Sequence, residues 1–235
     1  GIRDVLVFLG TQTNTPDGRK SIARAIGKMS DSATGRDWLI LDKGIRDVLV
    51  LLGTQENTPD GREDIARAIR NIARSDAGID FLVQDNRIRD VLVLLGNQTN
   101  TLEGLKFIAG AIGNIAGSDA GRDWLILDVR IRDLLVLLGN QTNTFDGRKF
   151  IAGAIGNIAY SEEGRDWLIQ ANGFTALLVS LRNMDVLVLL GNKFNTLDGR
   201  AAIAAAIVDI ASSNAGRGIN LLIQDDRIRA LLVLL

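Results

Sequence analysis

An all-α solenoid is the fold this sequence predicts, and three observations carry the prediction. The chain copies itself: Ile-Arg-Asp begins at Ile2, Ile45, Ile88 and Ile131, in steps of 43 residues. Every unit carries one helix-start signal, a threonine with an acidic residue two places on, at Thr15, Thr58, Thr101, Thr144 and Thr196. Downstream of it the apolar residues fall at helical spacing, as Ile65, Ile69 and Ile72 do. Self-similarity with a period of about 40 residues is the signature of stacked repeats and outranks any local motif.

Each unit resolves into three segments. The first, IRDVLVLLG, is nearly continuous in Val and Leu, and periodicity alone leaves it between a buried strand and a buried helix. The second opens on Thr58-Pro59-Asp60, which places a capping hydroxyl at the N-cap, proline at N1 and a carboxylate in the first turn. It predicts an amphipathic helix of about 14 residues. The third, SDAGRDWLILD, reads as a short helix with Trp124, or Trp38, Phe81 and Trp167 in the other units, turned inward as core anchors. The units lie near 1–44, 45–87, 88–130, 131–173 and 174–235 and form a single domain. The acidic residue after the threonine recurs at Asp17, Asp60, Glu103 and Asp146, then at Asp198 after 52 residues. The fifth unit thus holds about nine extra residues, between Phe174 and Gly191.

Composition narrows the function. Lys+Arg total 27 against Asp+Glu 28, so the net charge of −1 offers no general attraction to nucleic acid or an anionic membrane. With no cysteine and no histidine, the chain lacks thiolate chemistry, the commonest general base and the commonest transition-metal ligands. No apolar run approaches 18 residues and no signal peptide is visible, so the expectation is a cytoplasmic or nuclear chain without a membrane span. The acidic residues at the helix starts read as dipole partners, because acid–base catalysis needs one focused constellation. Phosphate-binding glycine loops are absent as well. The expectation is a non-enzyme with no cofactor and no metal.

A short helix, an apolar helix and a long amphipathic helix in about 42 residues resemble the armadillo repeat. The stretch QANGFTALLVSL at 170–181 is similar to that family's junction between first and second helices, and RNIARS and GNIAGS resemble the end of its third. HEAT repeats, with two helices per unit, and an α/β repeat are the alternatives. The resemblance implies a right-handed α-solenoid of about five armadillo-like repeats, whose third helices line a concave groove. The chain starts and stops inside second helices, which suggests a segment of a longer array, or ends that meet partners or self-associate.

In some armadillo proteins a Trp and an Asn four residues apart on the third helix grip an extended peptide. Here the Asn place holds Lys28, Asn71, Asn114, Asn157 and Asp209, so three of five match. The Trp place holds Arg24, Arg67, Gly110, Gly153 and Ala205, so none does. Read from the helix alone, the side opposite the isoleucines also carries Arg70 and Arg74. That side is expected to be basic at its N-terminal end, bare in the middle and slightly acidic or apolar at Val208 and Asp209. Such a gradient suits a protein or peptide partner with an acidic portion. Two readings of the asparagines stay open, bonds to a partner's backbone or to a neighbouring carbonyl at the seam between repeats. The costly glycines of FIAGAIGNIA, printed identically at 107–116 and 150–159, likewise mark either a partner's close approach or tight packing of neighbouring third helices.

The leading expectation is a protein–protein interaction scaffold binding an extended or helical segment. The alternative is a structural spacer or oligomerisation element of a larger protein. An RNA-binding solenoid is disfavoured by aromatics at 5% and the neutral charge balance.

Overall fold

The computed structural model describes residues 2–181, apart from 13, 14, 99, 142, 143 and 172, together with positions 204, 207, 208 and 228. Within them the VLVLL segments are helices, and no strand is present among the described residues. They form one row: α1 (Ile2–Thr11), α4 (Lys43–Thr54), α7 (Arg87–Gly96), α10 (Val129–Gln141) and α13 (Phe174–Leu181). The long amphipathic helices form a second row: α2 (Pro16–Met29), α5 (Pro59–Ile72), α8 (Leu102–Ile115) and α11 (Phe145–Ile158). Short helices make the third: α3 (Ala33–Ile40), α6 (Asp76–Val83), α9 (Asp119–Ile126) and α12 (Glu162–Ile169). Each helix packs on its counterparts in the adjacent units, and the long row is the most closely packed of the three.

The caps explain where the helices begin. Thr15, Thr58, Thr101 and Thr144 each accept a hydrogen bond from the backbone N–H of the glycine three residues on, as the sequence predicts. Ser32, Ser75, Ser118 and Ser161 do the same for the short helices. The glycines at those short-helix starts have a second reason. A Cβ on Gly35, Gly78, Gly121 or Gly164 would overlap the carbonyl oxygen of Met29, Ile72, Ile115 or Ile158, so the end of each long helix presses on the turn that follows. The family-like junction at 170–181 turns on Gly173, whose φ of 87° is the left-handed region that favours glycine.

The core is one continuous strip of Ile, Leu, Val and Ala running through all the units. The Val/Leu helices bury most of their apolar side chains, with Val48, Leu49 and Leu52 fully buried, while Leu94 on α7 and Val5, Phe8 and Leu9 on α1 remain exposed. Between units they lock by a knob on a glycine, with Val48 against Gly10, Val91 against Gly53 and Leu134 against Gly96. A Cβ on Gly53 would sit 2.5 Å from the Val91 side chain. The aromatic anchors follow the expectation, with Phe81, Trp124 and Trp167 buried and Trp38 half-buried against the core.

Polar links also tie the start of each unit to its end. Arg46, Arg89 and Arg132 reach forward from the apolar helices to the carbonyls of Phe81, Trp124 and Trp167 at the ends of the short helices. Each guanidinium also lies over that aromatic ring, 5.1, 4.9 and 5.8 Å from its centroid. Arg87 bridges Asp47 and Asp85, and Arg130 bridges Asp90 and Asp128 in the same register one unit later. Among the described residues no helix is long and apolar enough to cross a membrane.

Candidate functional site

The face of the long helices holds most of the sequence-selected residues, and their side chains are more committed than an open groove would leave them. The asparagines reach back one unit. Asn114 donates through Nδ2 to the Arg70 carbonyl at 2.9 Å, and Asn157 donates to the Gly113 carbonyl at 2.8 Å. Asn71 donates to Ser30 Oγ at 3.2 Å and Asp31 Oδ1 at 3.0 Å. The seam geometry thus uses all three amides. Asn71, placed on the exposed side by the helix pattern, is only 4% exposed, because the end of the preceding long helix covers it. Asn114 is half-buried and Asn157 exposed.

The cations divide into two groups. Arg24 stands 3.8 Å from Asp64 of the next unit, Lys28 stands 3.9 Å from Asp31, and Arg67 stands 3.5 Å from both Glu63 and Asp64. Asp64 is buried, and burial pushes its carboxyl above the usual range, against the pull of Arg67 and Arg24. Arg70 and Arg74 have no such acid beside them: among the described residues neither side chain makes an ion pair or a hydrogen bond. Burial and the neighbouring Arg74 charge lower the Arg70 pKa, weakly opposed by Glu103, though a guanidinium stays charged at any physiological pH.

Arg70 also corrects the picture of a bare middle. Its guanidinium lies over two rings, 5.4 Å from the Phe107 centroid and 4.9 Å from that of Phe150 two units away. Arg67 shares Phe107 at 5.2 Å. Gly110 makes this possible: it is buried beneath the arginine, and a Cβ there would stand 2.8 Å from Arg70 Nε. Gly113 is buried against the next long helix, where its Cβ would meet the Ala154 backbone at 3.4 Å. These two glycines therefore sit under packed neighbours and not on open surface, because adjacent long helices crowd the side opposite the isoleucines. Gly153 is exposed, and Asp209 lies outside the described residues. Exposed Val208 is described; Ala205 is not.

Sequence reading passed over Phe107, Phe150, Asp31 and Asp64. The signal was available in the register: Phe107 and Phe150 occupy the place held by Ser21 and Asp64, a position that cannot belong to the buried stripe in every unit. At the end of the same row a cleft of about 500 Å³ opens between the turns after α8 and α11, lined by Gly117, Asp119, Arg122, Asn157 and Tyr160.

No family model matches the chain, and no curated protein does. Solved structures do. A designed armadillo repeat protein aligns over 98% of both chains at 21% identity with a TM-score of 0.72. An engineered protein aligns over 98% of both at 26% identity and the same TM-score of 0.72. A designed armadillo repeat protein in complex with the peptide (KR)4 covers 98% of this chain and 96% of its own, at 21% identity and a TM-score of 0.63. Three stacked helix rows, repeated units of one register and these likenesses agree: in fold, the chain is an armadillo-repeat solenoid.

Proposed function

We propose that the chain is a non-enzymatic scaffold that binds an extended segment of a protein partner along the face of its long helices. The observation that carries this reading is the unbroken row formed by α2, α5, α8 and α11, in which corresponding positions recur every 43 residues on one face. A face built that way meets an extended peptide at regular intervals, and a solenoid offers it as one long surface. The side chains shape which peptide fits. A neighbour of the same fold was solved with a peptide of alternating Lys and Arg. Here Phe107 and Phe150 are already stacked by the chain's own Arg67 and Arg70, so aromatic walls are not open to incoming cations.

The test is selection of short peptides against the folded chain from a random display library, followed by affinity measurement on variants. Replacing exposed Arg24, Lys28 and Arg74 together with alanine is expected to weaken the selected peptides at least about tenfold, the loss of two or three charge-assisted contacts. Leu41→Ser with Leu127→Ser, at residues 73% and 76% exposed on the short-helix row, is expected to leave binding unchanged. The opposite pattern overturns the reading.

A further inference from the structure

We propose that Arg70 and Arg74 form an anion subsite that takes a side-chain carboxylate of an acidic, extended peptide; the proposal rests on the binding face argued above. Of the cations singled out on the long helices, Arg24, Lys28 and Arg67 each have an acid within 4 Å. Arg70 and Arg74 have none, although they lie four residues apart across the end of α5 and the Arg74 charge acts on Arg70. Two neighbouring like charges, countered only by Glu103 beyond ion-pair distance, oppose folding, so an arriving carboxylate relieves a repulsion as well as making new bonds.

The geometry prepares the guanidinium for such a guest. The Arg70 guanidinium lies over both Phe107 and Phe150, and a Cβ on Gly110 would crowd it. A guanidinium fixed in this way loses little further freedom on binding, and its planar fork matches a carboxylate. Arg70 Nε is buried with no hydrogen-bond partner, whereas the two terminal nitrogens are free of protein partners and remain reachable. Arg74, exposed in the turn that follows this helix, brings a second guanidinium whose charge acts on Arg70. The Asn114 amide is spent on the Arg70 carbonyl and so fixes the backbone beneath the subsite without competing for the guest.

Fluorescence anisotropy with labelled (Glu-Ser)4, (Lys-Arg)4 and (Gly-Ser)4 peptides at low salt tests the proposal, with circular dichroism confirming that each variant stays helical. The acidic peptide is expected to bind most tightly, to lose about tenfold in affinity with Arg74→Gln and at least as much with Arg70→Gln, and to weaken as salt is raised. Arg70→Lys, which keeps the charge but not the stacked plane, is expected to fall between wild type and Arg70→Gln. Unchanged (Glu-Ser)4 affinity in Arg74→Gln overturns the subsite, and because Arg74 is exposed this arm stands even where Arg70→Gln fails to fold. Preference for (Lys-Arg)4, or no (Glu-Ser)4 binding while library-selected peptides still depend on Arg24, Lys28 and Arg74, also overturns the subsite yet leaves the binding face intact. Selected peptides that ignore those three residues remove the binding face itself.

Discussion

The guanidinium of Arg89 lies 4.9 Å from the centroid of the Trp124 ring and donates to the carbonyl oxygen of that same residue. One side chain thus fixes both the ring and the backbone of the short helix at the far end of its own unit, and it does so while only 9% exposed. Replacing Arg89 with Met keeps much of the apolar stem but removes the donor and the cation. We expect Arg89→Met to lower unfolding free energy by about 2–3 kcal/mol in urea titration, the cost of a lost charge-assisted bond and an unpaired carbonyl. Arg74→Met, at a free surface position, should change it by no more than about 0.5 kcal/mol.

Glycines of this chain should respond in opposite directions to one extra methyl group. At Gly113 the new Cβ makes close contacts of 3.4–3.5 Å with Ala154, and alanine is the better helix former. Gly113→Ala is expected to stabilise by about 0.5 kcal/mol. Gly78→Ala drives the same atom into the Ile72 carbonyl oxygen, a backbone atom that cannot swing aside. A loss of about 3 kcal/mol or more is expected there, and thermal melts of the two variants check the contrast.

The asparagine links should show up in stability before they show up in binding. Asn114→Ala and Asn157→Ala each delete one bond to the preceding long helix, and about 1 kcal/mol is expected for each. They lie 43 residues apart in successive units, and near-additivity in the double variant measures how independently the seams form. A double variant that unfolds at the wild-type denaturant midpoint would show that water replaces these bonds without cost.

Acid should loosen the array through two repeated carboxylates. Arg87 and Arg130 donate to Asp85 and Asp128 and hold both carboxyls below the usual range. A lowered folded-state pKa means the unfolded chain binds more protons. The stabilisation is therefore full above the ordinary pKa of about 4 and is lost as pH falls through the folded value. Asp64 works the other way. Burial raises its pKa, so the folded chain holds that proton more tightly, and its contribution declines as pH rises through the window just above the ordinary value. We expect Asp85→Asn with Asp128→Asn to flatten the fall in urea midpoint below pH 4, and Asp64→Asn to flatten the opposing slope above it.

The repeat, the long helices and their caps were legible in sequence because they rest on local chemistry. A threonine, its glycine three residues on and an isoleucine stripe define a helix wherever they stand. The Val/Leu segments were not legible, since a short continuous apolar run carries no periodicity to separate strand from helix. The direction of each Asn side chain, and the reason for Gly110, were set by neighbours in other units: the Arg70 side chain arrives from 40 residues upstream. Register offered a partial route to these. Phe107 and Phe150 in a column with Ser21 and Asp64 already marked a position at the margin of the core.

The knob-on-glycine seam has a consequence for the lengths this chain can take. Excising residues 88–130 would carry Leu134 from Gly96 to Gly53 and bring Asn157 to the Arg70 carbonyl that Asn114 now occupies. Arg46 and Arg132 would keep the carbonyls they already hold. A cut one residue longer or shorter would turn the following helix by about 100° and set every one of these partners off its mark. Growth and shortening by whole units, with the joint healing itself each time, is thus written into the contacts between one apolar helix and the next.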